Sequence, residues 1–70
     1  MTRHELSQIV ANQAKLFKGH VSDKGDLVFP TAGQATMFAQ AVVWDLQVEA
    51  YLPDNMDIED TDVKVTVKGR

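Results

Sequence analysis

The stretch Leu46-Gln47-Val48-Glu49-Ala50-Tyr51-Leu52 decides how many strands this chain has. Leu46, Val48, Ala50 and Leu52 fall on one face of an extended segment and Gln47 and Glu49 on the other, the period-two alternation of a half-buried strand. No glycine or proline separates Val43 from Leu46, and Pro53 can equally terminate a helix that runs on from Ala32. Read as a strand, the stretch gives an α-β-β-α-β-β chain. The alternative is α-β-β-α-β with a long second helix.

Upstream, the second helix opens with Thr31 and Gln34 at capping-box spacing, followed by Ala35, Phe38, Ala39 and Val42 at helical intervals. Its small residues allow close approach to a sheet. The segment before it, His20 to Pro30, reads as a hairpin with Gly25 in the turn and a second strand of Leu27, Val28 and Phe29 that ends at Pro30. The first helix starts near His4, with Thr2 and Glu5 as a capping pair and Leu6, Ile9, Val10, Ala14 and Phe17 on one broad face. Lys18 and Gly19 mark its exit, glycine being suited to a positive φ.

Downstream, every ionisable residue between Pro53 and Asp62 is acidic, so 53–62 is predicted as a solvated loop. Val63 to Lys68 then alternates, with three valines on one face and Lys64, Thr66 and Lys68 on the other. Gly69 and Arg70 are expected to fray. The fold class that follows is α+β: two helices packed on one face of a small antiparallel sheet, a single domain over 1–70. The element order is that of a permuted ferredoxin-like arrangement.

The 70 residues carry 10 acidic and 7 basic side chains and no cysteine. There is no disulfide framework, thiol nucleophile or thiolate metal site, and a reducing, cytoplasmic setting is the expectation. No segment reads as a signal peptide or membrane span, so no membrane partner is expected. A net charge of −3 leaves no basic surplus for a broad phosphate-binding surface.

Catalytic motifs fail on spacing. Ser7, Ser22 and Thr66 have no linked base and orienter among His4 and His20, and the two histidines lack metal-ligand spacing. An EF-hand register starting at Asp54 puts Glu59 where glycine must turn the loop, and one starting at Asp57 puts Asp62 there. The loop Pro30 to Gln34 lacks the lysine and glycine spacing of a phosphate cradle. The expectation is a protein with no enzymatic activity, no cofactor and no metal.

Charge segregation is the most specific feature. Residues 1–44 carry about +1, residues 45–62 carry −7, and residues 63–70 carry +3. Trp44 and Tyr51 flank the start of the negative segment. Closing the core is the commoner role for a lone tryptophan in so small a domain, whereas an exposed pair of rings would anchor an interface.

The functional expectation is a small acidic protein-binding module, an inhibitor or regulator docking on a basic patch of a partner protein. Its contact residues would be Trp44, Asp45, Glu49, Tyr51, Asp54, Asp57, Glu59, Asp60 and Asp62. Its size suits a phage or mobile-element protein. Two alternatives stand beside it: a nucleic-acid-binding module using the Lys64 and Lys68 face, and a self-associating structural subunit, since a chain of this length without staples sits near the limit of independent stability.

Overall fold

The computed structural model describes residues 2–69. Its elements are α1 (Arg3–Leu16), β1 (His20–Val21), β2 (Leu27–Thr31), α2 (Ala32–Leu46), β3 (Glu49–Tyr51) and β4 (Thr61–Lys68). The four strands form one sheet in the order β1-β2-β4-β3, with every neighbouring pair antiparallel. Both helices pack on one face. Joining the ends and reopening the chain between β3 and β4 gives the succession β-α-β-β-α-β of a ferredoxin-like fold, so the architecture is that arrangement with its chain permuted.

The caps fall where the sequence places them. The Thr2 hydroxyl accepts from the Glu5 amide at 3.1 Å and the Thr31 hydroxyl from the Gln34 amide at 3.2 Å, each satisfying an amide that the helix cannot. The exit of α1 differs from the expected one: Lys18, not Gly19, takes the left-handed conformation, at φ 64°. Bonds from the Lys18 amide to the Lys15 carbonyl and from the Gly19 amide to the Ala14 carbonyl form a Schellman closure. Gly19 serves close approach instead, because a Cβ there would stand 2.7 Å from Cδ2 of Phe29.

The turn between β1 and β2 has Gly25 at φ 84°, with the Ser22 amide donating to the Asp26 carbonyl at 2.8 Å. Pro30 does not end β2. The strand continues to Thr31, because β1 pairs only as far as Val28 and, among the described residues, β2 has no strand on that flank beyond it to need the missing amide hydrogen. Opposite Pro30, Asp62 has φ 52°, and the regular register resumes with Thr31 facing Thr61.

The 46–52 stretch is a strand, but a shorter one than the alternation predicts. Leu46 is the last residue of α2, and Gln47 turns the chain at φ 54° without help from glycine or proline. The turn returns Val48 to the core at 5% exposure, with half-buried Ala50 on the same side. β4 begins at Thr61, two residues before the first valine, so the acidic connection spans 52–60 and Asp62 belongs to the strand. Gly69 lies beside Leu6 rather than free, since a Cβ on it would meet Cδ2 of Leu6 at 2.9 Å. Arg70 is outside the described residues.

Phe29, Phe38 and Val42 are the largest fully buried side chains. The Phe29 and Phe38 rings stack at a centroid distance of 4.6 Å, and Phe17 meets Phe38 edge-on at 6.2 Å. Val63 and Val65 complete the layer from β4, with Val67 half-buried beyond them.

Candidate protein-interaction surface

The inward stripe of α2 is Ala35, Phe38, Ala39 and Val42, all buried. With 3.6 residues per turn, Met37 and Trp44 must point away from the sheet. Met37 is 56% exposed and Trp44 83% exposed, while Val43 on the β3 side of the same helix is 44% exposed. Trp44 therefore does not close the core. Asp45 is the single charge in α2, so the outward side of this helix is apolar or neutral along its length up to Trp44. A shallow hollow lined by Ala39, Gln40, Val43, Trp44 and Ala50 connects it to β3.

Tyr51 and Trp44 are not on one face. In β3, Ala50 pairs with Val67 on the side that the helices cover, whereas Glu49 and Tyr51 pair with Lys68 and Thr66 on the open side of the sheet. The Tyr51 hydroxyl donates to Oε2 of Glu49 at 2.8 Å, and Nζ of Lys68 sits 5.6 Å from the centre of its ring. The hydrogen bond to Glu49 and then its negative charge hold the Tyr51 phenol above the usual 10.0. A single anchor made of both rings is thus replaced by Trp44 on the helix side and by a Tyr51-Glu49-Lys68 cluster on the open side.

The acidic connection links β3 to β4 and is tied to the start of α2 on its way. The Ala32 amide donates to the Asp60 carbonyl at 3.1 Å, and Oδ2 of Asp60 accepts from the Asp57 amide at 2.9 Å. Half-buried Met56 pins the loop to the core, while Ile58 is 85% exposed. Asp54, Asp57, Glu59, Asp60 and Asp62 are all exposed, and among the described residues none of them forms an ion pair. The lysines of β4 do not neutralise the loop: Lys64 pairs with Asp26, at 3.6 Å.

Asp45 and Glu49 lie at the Trp44 end of α2 and the loop at the other end. That places about 18 Å of neutral helix between two groups of carboxylates, from Ala32 to Trp44 at 1.5 Å per residue. The basic side chains are dispersed. Lys64 and Lys68 project from the open face next to Asp26 and Glu49, Arg3 and Lys15 are in α1 with Lys18 at its exit, and Lys24 is in the hairpin turn.

Sequence reasoning singled out Trp44 but missed Met37, Val43 and Ile58. The available signal was the spacing of seven between Met37 and Trp44, one repeat of a second apolar stripe opposite the first. Among the described residues no group of three acidic or histidine side chains is placed to hold a metal ion, and no helix is long and apolar enough to cross a membrane.

Fold and surface together define a class: a small two-layer α+β domain with one unpartnered apolar helix face between carboxylates. No family model, characterised protein or solved structure matches the chain.

Proposed function

We propose that this chain is a small noncatalytic protein-binding module, an inhibitor or regulator that docks on a basic surface of a partner. The observation that carries the reading is Trp44, 83% exposed on a helix face without charge. An indole held on a rigid helix contributes large contact area at low ordering cost, and such residues supply most of the energy where interfaces have been dissected. Asp45, Glu49 and the carboxylates of the loop would raise the rate of encounter with a cationic surface and orient it. If that surface normally holds a polyanion, occupancy by this module excludes it. A cysteine-free composition suits work in the cytoplasm.

The test is capture of the partner from native lysate by immobilised wild-type chain, repeated at high salt and with three variants. Trp44→Ala should lower affinity for the captured protein at least about tenfold, the usual size of a hot-spot truncation. Reversal of Asp57, Glu59 and Asp60 to lysine should slow association and remove its salt dependence, whereas Lys64→Ala should leave both unchanged. Capture that survives the first two variants and high salt overturns the reading. Salt-sensitive binding of mixed oligonucleotides that Lys64→Ala abolishes would replace it with a nucleic-acid module.

A further inference from the structure

We propose that the free edge of β3 takes up an extended segment of the partner protein, one that alternates apolar and basic residues and pairs as a fifth strand. This deepens the docking reading above and rests on it. β3 is an edge strand of the sheet and among the described residues pairs only with β4, so the backbone amides and carbonyls of its other flank have no strand partner there. Its pleat offers two different surfaces to an incoming chain. On the helix side is Ala50, with the hollow beside Val43 and Trp44; on the open side are Glu49 and Tyr51.

The occupied flank shows what chemistry these three residues accept. There β4 sets Val67 against Ala50, Lys68 against Glu49 and Thr66 against Tyr51. The free flank presents the same three side chains, and cross-strand pairs are the unit of sheet stabilisation. An apolar side chain beside Ala50 would enter the hollow against Trp44, and a basic one would meet Glu49, which has no ion-pair partner among the described residues. Strand addition of this kind takes affinity from main-chain bonds and specificity from alternate side chains.

Charge argues against a second copy as the occupant. Each chain carries −3, and pairing β3 with itself would gather Asp45 and Glu49 from both copies at one seam. β4, the segment with the right alternation, is already paired on both flanks and cannot be donated. The opposite edge of the sheet, β1, has only two residues.

The probe is a blocked peptide Val-Lys-Val-Thr-Val-Lys, the order of residues 63–68, titrated into the full chain. Binding is followed by Trp44 fluorescence and by amide hydrogen exchange at Glu49, Ala50 and Tyr51. Saturable binding should slow exchange at β3. It should weaken about tenfold or more with Trp44→Ala, and likewise with Glu49→Lys. Methylating alternate peptide nitrogens along one edge should abolish it, while methylating those of the other edge should leave it intact.

No saturation at millimolar peptide overturns the proposal. So does equal binding of the scrambled peptide Val-Val-Lys-Lys-Val-Thr, or indifference to methylation on both edges. A concentration-dependent dimer that protects β3 amides without peptide would assign the edge to a second copy. Any of these alongside salt-sensitive, Trp44-dependent capture of a basic partner leaves the docking reading standing and removes only the strand pairing.

Discussion

The two sides of α2 are both apolar, yet one is the centre of the core and the other faces water. Ala35, Phe38 and Val42 are completely buried against the sheet, while Met37, Val43 and Trp44 stand exposed on the same fifteen-residue helix. A helix that is apolar all round belongs in an interior. Here a four-stranded sheet and a neighbouring helix can cover only part of its circumference, and the fold is complete without the remainder. The apolar content of α2 thus exceeds what this domain buries in its own core, and the proposed function gives that surplus to binding.

The sharpest way to break that contrast is to truncate one residue on each side. Phe38→Ala removes a ring packed against Phe29 and Phe17. It should cost about 3–5 kcal/mol, most of what a small domain has, and a urea titration should show the cooperative transition shifted to low denaturant or lost. Trp44→Ala should change stability by no more than about 0.5 kcal/mol, because the indole is exposed and alanine favours helix. Comparable losses for the two variants would mean that Trp44 is structural.

The smallest effect concerns the open side of β3. The Tyr51 phenol should titrate above 10.0, and Glu49→Gln should bring it down by removing the charge that opposes phenolate formation. Because the folded value is the higher one, the associated stability is fully present below the pKa of an unfolded tyrosine and disappears as pH rises through the folded value. Ultraviolet absorbance of the phenolate measures the titration, and no change on Glu49→Gln would show that the Glu49 charge does not act on the phenol in solution.

Much of the architecture was legible because caps and alternation carry local information. Thr2 and Thr31 each bond an amide three residues on, Gly25 sits within its own turn, and the valines of β4 show their inward face through alternation alone. The end of α2 was not, because the residue that turns the chain is Gln47, whose left-handed backbone is stabilised by burying Val48 rather than by any preference of its own. Nor could spacing tell that Trp44 and Tyr51 would part company. Their sides depend on the register of β3 against β4, a pairing with a segment fifteen residues further along. The exposed carboxylates were visible as composition, but their tether, a main-chain bond from Ala32 to Asp60, leaves no trace in residue type.

The nearness of Gly69 to Leu6 means that the first helix and the last strand meet at one corner of the domain. A short bridge across that corner, with a cut in the acidic connection, would leave every pairing in the sheet in place while moving β4 ahead of the other three strands in chain order. β4, an interior strand, would then wait for its two neighbours instead of arriving after them, which separates what the packing requires from the order in which the ribosome delivers it.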